Sequence, residues 1–230
     1  MNKDAIYCID AMDGLRQLED ESIDLIVTDP PYKTTSRGNA GGLGGYFKNK
    51  DTLKGTMFKD NKIEISEWLP KIYRVLKESG HCYIMTNNKN IVHYLNVIDK
   101  SQFHFIKNLI WVKQNKIVGN AYMSQYEYVI MLRKGRHKFI NHCGTSDVLQ
   151  VPLQKLKDTN NKPLHVTEKP VELTNILVRN SSNEGDTILD PFAGIGGSCV
   201  SAKLLKRHFI GFEINEHYQK IAMKRVNDCE

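Results

Sequence analysis

The 230-residue chain lacks any run approaching the ~20 consecutive apolar residues that a membrane-spanning helix needs. Its start, Met1-Asn2-Lys3-Asp4, offers no apolar signal-peptide core, so the expected compartment is the cytoplasm. The five cysteines (Cys8, Cys82, Cys143, Cys199, Cys229) are odd in number and never spaced as Cys-x-x-Cys. That pattern supplies neither a disulfide framework nor a zinc site, and no metal is expected. There is no internal repeat. With 40% apolar and 25% charged residues the composition is ordinary for a globular protein, which excludes a disordered or collagen-like chain. The length fits one domain over residues 1–230.

Acidic residues are scarce in two places. From Lys33 to Lys62 there are seven Lys/Arg against two acids, and from Lys100 to Lys138 eight against one, Glu127. The formal charge of +6 is therefore concentrated where a polyanion could be faced, although a solvated surface gives the same count. The first segment also carries Gly38, Gly41, Gly42, Gly44 and Gly45 and reads as a mobile Gly/Lys-rich loop over 33–62.

Strand-like apolar runs fall at Ala5–Ile9, Ile23–Thr28, His81–Thr86, Phe103–Val112, Tyr126–Leu132, Thr187–Leu189 and His208–Ile214. Helical periodicity lies between several of them: a helix capped by Ser66 and closed by Ser79-Gly80, then Ile91–Asp99, Pro170–Arg179, Ser198–Lys206 and Glu216–Val226. Alternating strands and helices predict an α/β fold, a doubly wound and mostly parallel seven-stranded sheet with helices on both faces.

In such sheets ligands bind beyond the carboxyl ends of the strands. Two strands here end in unusual chemistry. Ile23–Thr28 runs into Asp29-Pro30-Pro31-Tyr32, where two prolines rigidify the turn and leave carbonyl acceptors without N–H donors. An acid, a carbonyl acceptor and an aromatic face suit a flat molecule with an amino group, such as the exocyclic amine of a nucleobase. A capped turn with a core tyrosine is the alternative. Thr187–Leu189 runs into Asp190-Pro191-Phe192-Ala193-Gly194-Ile195-Gly196-Gly197-Ser198, then a helix, then a strand carrying Glu213. That spacing suits a nucleoside with Glu213 on its ribose hydroxyls. A dinucleotide competes, but Asp190 would repel a pyrophosphate and welcome an ammonium or sulfonium. No Gly-Lys-Ser/Thr follows, so the loop is not a triphosphate-binding P-loop.

With both loops in view the sequence resembles the S-adenosylmethionine-dependent DNA amino-methyltransferases. The order of its motifs, Asp-Pro-Pro-Tyr before Asp-Pro-Phe-Ala-Gly, is that of the β-class. Further matches are Glu213 within Phe209–Ile214, the segment His165-Val166-Thr167-Glu168-Lys169-Pro170, and Asp10 at the end of the first strand. Ile195 stands where many members carry serine and Gly197 where threonine is common. The resemblance implies a Rossmann-like methyltransferase fold, S-adenosylmethionine as methyl donor, no metal, and DNA as substrate. It implies catalytic roles for Asp29, Pro30, Pro31 and Tyr32. Cofactor binding would fall to Asp10, Thr167, Lys169, Asp190, Phe192, Ala193, Gly194, Gly196 and Glu213, with Thr167 and Lys169 on the cofactor carboxylate. DNA contacts are expected from Lys33, Arg37, Arg133, Lys134, Arg136 and Lys138. The interval 133–164 is a short candidate target-recognition segment.

The aspartate at position 29 favours adenine N6 as acceptor; cytosine N4 is the alternative on the same fold. RNA or protein-glutamine methylation and a non-catalytic DNA-binding subunit are more distant readings, disfavoured by the motif order and by the presence of both loops. The resemblance also implies a homodimer and a cognate restriction enzyme. Because a stacked amine cannot reach a cleft-bound cofactor, the base is expected to be flipped out of the duplex.

Overall fold

The computed structural model describes residues 1–31, 63–117, 122–153 and 168–229. The expectations for Tyr32, Thr167, the 33–62 loop with Lys33 and Arg37, and residues 154–164 of the recognition segment lie outside the described residues. The strands are β1 (Ala5–Cys8), β2 (Ile23–Thr28), β3 (Leu76–Thr86), β4 (His104–Ile117), β5 (Ser124–Arg133), β6 (Val148–Gln150), β7 (Thr187–Asp190) and β8 (His208–Glu213). The helices are α1 (Ala11–Arg16), α2 (Ile65–Val75), α3 (Ile91–Asp99), α4 (Val171–Ser181), α5 (Gly197–Leu204) and α6 (Glu216–Asn227).

All eight strands form one sheet in the order β1-β8-β7-β2-β3-β5-β4-β6. Only β5 runs against the others. Seven strands are expected from the sequence, and eight are found among the described residues. The addition, β6, is a three-residue edge strand beside β4, with one buried residue between two exposed ones. Three residues carry too little periodicity to stand out from a polar segment.

Successive strand side chains point to opposite faces, and among the described residues each face is roofed by three helices. On one, Leu25, Val27, Tyr83, Met85, Val129, Met131, Ile188 and Phe209 pack under Leu173, Leu177 and Val178 of α4, Cys199, Val200 and Ala202 of α5, and Ala222 and Val226 of α6. On the other, Ile26, Cys82, Ile84, Ile130, Leu132, Leu189 and Phe212 meet Leu15 of α1, Trp68, Leu69 and Ile72 of α2, and Tyr94 and Ile98 of α3. Helix α2 shows why this works: Ile65, Trp68, Leu69, Ile72 and Val75 recur at helical spacing and are all buried. Burying each such side chain stabilises the fold by roughly 1.5–3 kcal/mol. Its N-cap is Glu64, reciprocally bonded with Glu67 in a capping box, rather than Ser66. Its end passes directly into β3, so Ser79-Gly80 lies within that strand's irregular start instead of closing the helix.

At the amino ends of the parallel strands, His81 is buried in β3. The Ser181 hydroxyl lies 2.9 Å from its Nδ1 and 2.8 Å from the Tyr83 hydroxyl. Burial, reinforced by the positive field of Lys138, Arg133 and His137, pushes the imidazole down to about 4, so it is held neutral. No helix among the described residues is long and apolar enough to cross a membrane.

Candidate functional site

From β2 the chain continues to β3 on one side, and from β7 to β8 on the other. The switch point of the sheet therefore lies between the paired strands β2 and β7, where a crevice opens beyond their carboxyl ends. Both Asp-Pro turns stand there. Asp29 follows the last residue of β2 and Asp190 ends β7. Thr28 Oγ1 donates to Asp190 Oδ1 at 2.8 Å and so ties the two turns together.

Asp190 is 6% exposed and its oxygens are taken up by the protein. Besides Thr28, the Phe192 backbone N–H donates at 3.0 Å and the Ser198 hydroxyl makes a short bond. Burial pushes the carboxyl up to about 6, against the pull of those three donors and with the help of nearby Asp29. Asp190 is the internal acceptor that folds the glycine loop, because a buried carboxylate needs its donors close at hand. The loop is drawn in further by Ala193 N–H donating to Phe212 O at 2.8 Å. Gly196 caps α5 at φ 78°, and a Cβ there would sit 3.0 Å from Ala222 Cβ and 3.1 Å from Ile6 Cδ1. Only glycine serves both the left-handed backbone and the close approach of α6. Phe192 is half-buried, edge-on to Trp68 of α2 with ring centroids 5.6 Å apart.

Farther along the same rim, Glu213 ends β8 opposite Cys8 of β1. Its carboxylate accepts from Asn215 N–H at 2.7 Å and is held above its ordinary range by burial. Asp10, just past β1, caps α1 by accepting from Met12 N–H at 2.8 Å and from Asp13 N–H. Four strands thus bring Asp10, Asp29, Asp190 and Glu213 to one edge of the sheet.

Lys169 joins this edge. Its Nζ lies 2.6 Å from Asp29 Oδ2 and 3.3 Å from Glu127 Oε2, and Glu127 in turn holds Lys113 of β4. The expected place for Lys169 was on the cofactor carboxylate; here it pairs with the acid of the first turn. Glu168 beside it pairs with Arg225 of α6 at 3.0 Å, and Arg225 Nη1 donates to Ile195 O of the glycine loop at 2.6 Å. Glu127, Arg225 and the two hydroxyls on Asp190 are not among the site residues the sequence points to. Glu127 did carry a signal, since it is the one acid among the eight bases of Lys100–Lys138.

The basic cluster Arg133, Lys134, Arg136 and Lys138 is not brought to this edge. Because β5 is antiparallel, Arg133 pairs with His104, the first residue of β4, and with His81 of β3, toward the opposite end of the sheet. Lys134 is buried, donates to Leu76 O at 2.7 Å and pairs with Glu21 at 3.1 Å. If these four track DNA phosphate, as the sequence leads one to expect, they do so from the end of the sheet opposite the crevice.

A match to the DNA methylase family extends over residues 23–224. Type II methyltransferase M.HpaI of Haemophilus parainfluenzae is 30% identical over 247 residues, covering 96% of this chain and 74% of that one. Type II methyltransferase M2.DpnII of Streptococcus pneumoniae is 29% identical, covering 98% and 90%. Among solved structures, the M1.HpyAVI–SAM complex superimposes with a TM-score of 0.70 at 24% identity, covering 97% of this chain and 98% of that one. The cytosine-N4-specific PvuII DNA methyltransferase does so with 0.74 at 16% identity, covering 98% and 86%. The chain belongs to the DNA methylase family and is a DNA methyltransferase on the α/β fold of those enzymes.

Proposed function

We propose that the chain moves a methyl group from S-adenosylmethionine to the N6 amine of an adenine flipped out of DNA. The observation that carries this reading is the pair of Asp-Pro turns at the switch point, bound to each other through Thr28 and Asp190. One turn suits the amine and its neighbour the cofactor, so donor and acceptor share one crevice. Glu213 takes the ribose hydroxyls, Asp10 lies toward the adenine of the cofactor, and Phe192, Ala193, Gly194 and Gly196 line the methionine portion. Asp190 contributes by shaping that loop, and Thr167 holds the cofactor carboxylate. The chemistry of the rim fits: Glu213 is a half-buried acceptor there, as hydroxyl recognition requires.

When bound, S-adenosylmethionine supplies an electrophilic methyl group. The chain does the rest. Asp29 and the Pro30 carbonyl accept the two amino hydrogens, Pro31 keeps the turn rigid, and Tyr32 stacks on the flipped base. These contacts favour a pyramidal nitrogen whose lone pair leaves the ring and points at the methyl carbon. The nitrogen would gain the methyl group as the methyl–sulfur bond of the donor breaks and its electron pair stays on sulfur, and the proton the nitrogen then loses would pass to Asp29. Aspartate at position 29, rather than serine, supports adenine over cytosine on the family resemblance. Lys33 and Arg37, next in sequence to the catalytic motif, contribute positive charge for DNA. A single domain over 1–230, base reading shared by residues 33–62 and 133–164, a homodimer, a cytoplasmic setting and a cognate restriction enzyme complete the proposal on that resemblance.

The test is to incubate the purified chain with unmethylated DNA and S-adenosylmethionine, digest to nucleosides and identify the product by mass spectrometry. N6-methyladenine is expected. N4-methylcytosine would overturn the choice of base, and no methylated nucleoside would overturn the function.

A further inference from the structure

Beyond the two turns, the crevice holds four charged side chains in alternating order: Lys113, Glu127, Lys169 and Asp29. They come from β4, β5, the approach to α4 and the end of β2, and they are well removed from solvent, Lys169 at 9% exposure and Glu127 at 17%. Lys169 lies between two carboxylates, and so does the balance of the group: two cations, two anions. Ion pairs so poorly solvated persist only with charge and geometry matched, because an unbalanced buried charge is strongly destabilising.

We propose that Glu127 is a positioning residue for methyl transfer: it holds the Lys169 ammonium against Asp29, with Lys113 as its anchor on β4. The inference deepens the proposed function and rests on Asp29 being the acid that faces the amine. In this arrangement Lys169 keeps the Asp29 carboxylate ionised and fixes its rotation, so that its acceptor geometry is set before the base arrives. The pairing also weakens Asp29 as a base. That suits a reaction in which the amine is held and aimed before attack and gives up its proton only as the methyl bond forms. Glu127 is kept anionic by Lys169 and Lys113, which outweigh the opposing effect of burial.

Other charged groups among the described residues bear on this network. Glu168, its neighbour in sequence, is turned to Arg225 of α6. Asp190 of β7 and Tyr94 of α3 both feel the field of Asp29. Glu127 on β5 and Lys113 on β4 are the further members named above. Removing the Glu127 charge therefore leaves one surplus positive charge in the group, and the least costly relief is loss of a proton from lysine.

The test compares Glu127→Gln with Lys113→Met/Glu127→Gln, measuring kcat, KM for DNA, cofactor affinity by titration calorimetry and thermal midpoint from pH 6 to 10. Glu127→Gln is expected to lower kcat about tenfold and to move the alkaline limb of its pH profile down by about one unit. KM for DNA should stay within about twofold. The double variant restores neutrality, so its alkaline limb should return toward the wild type while kcat stays low. A wild-type kcat and pH profile in Glu127→Gln, with only the thermal midpoint lowered, would overturn the proposal. So would a double variant whose limb fails to recover. If Glu127→Gln does not fold, the double variant carries the test alone: a kcat equal to the wild type sinks the proposal. Asp29→Asn separates the two levels. If it remains active, the assignment of Asp29 fails; if it is dead while Glu127→Gln is unaffected, only the role of Glu127 fails.

Discussion

Asp29 and Asp190 end neighbouring strands, each stands before a proline, and Thr28 links their turns, yet the protein treats them in opposite ways. Asp190 is enclosed and spends its oxygens on Thr28, Phe192 and Ser198. Asp29 keeps 23% of its side chain exposed and is met by a lysine. The difference separates a carboxylate that builds a loop from one that can meet a substrate. Hydroxyl and amide donors favour the ionised form of Asp190 but are outweighed by its burial, which pushes the carboxyl up. Lys169, in contrast, rewards only the ionised form of Asp29. The same dipeptide in the same part of the sheet therefore has two roles, and its surroundings, rather than the motif, decide which.

The hardest test of that contrast is Asp29→Ala. Loss of the amine acceptor should lower turnover by about a hundredfold or more, while cofactor binding, read by calorimetry, is retained. A variant keeping a tenth of wild-type turnover would end the assignment. Asp190→Ala should act through stability. It orphans two buried hydroxyls and a backbone N–H, and should lower the free energy of urea unfolding by about 2–4 kcal/mol. Asp190→Asn, which can still accept from Thr28 and Phe192 and can donate to Ser198, should stay close to the wild type. If Asn is as damaging as Ala, the charge of Asp190 matters in a way its internal bonds do not explain.

The contrast extends to pH. Asp190 binds its proton more tightly in the folded chain, at about 6 against about 4 unfolded. Its stability contribution is therefore full at low pH and is lost as pH rises through 6. His81 has the reverse sign. With its folded value near 4 and its unfolded value near 6.5, it contributes full stability above 6.5 and loses it as pH falls to 4. Each effect is worth up to about 3 kcal/mol, and between pH 4 and 6 they oppose one another. Urea unfolding of Asp190→Asn should expose the His81 loss as a fall of about 2–3 kcal/mol from pH 6.5 to 4, steeper than in the wild type. Equal slopes in the two proteins would mean that the two groups do not offset each other.

Much of this arrangement is legible in the residues. Asp29, Asp190 and Glu213 each close an apolar run, and an apolar run of five or six residues between helical segments marks a buried parallel strand. The helix over Ile91–Asp99 falls where periodicity puts it. Pairings across the sheet are not legible in the same way. Lys169 meets Asp29 from 140 positions away, and no local pattern announces which acid a lysine will find. Nor does a count of basic residues along β4 and β5 say which end of the sheet each reaches. That depends on β5 being antiparallel, a property of pairing rather than of composition.

The basic residues of that stretch offer the smallest predicted effect and the sharpest contrast between the two ends of the sheet. Beyond Thr86, the last residue of β3, β4 and β5 continue pairing through Trp111–Glu127 and Val112–Tyr126 to Ile117–Ser124, so Lys113 and Lys116 lie on the side of the crevice. Arg136 and Lys138 lie at the other end. Counterion release makes affinity for DNA fall with salt in proportion to the number of phosphates neutralised. Arg136→Ala/Lys138→Ala should leave both KM for DNA and its salt dependence unchanged to within about twofold in KM. Lys116→Ala should reduce the salt slope by about one if its exposed ammonium meets a phosphate. If the first variant loses about two from its slope, DNA must wrap to the amino end of the sheet, and the functional surface is larger than the crevice at the switch point.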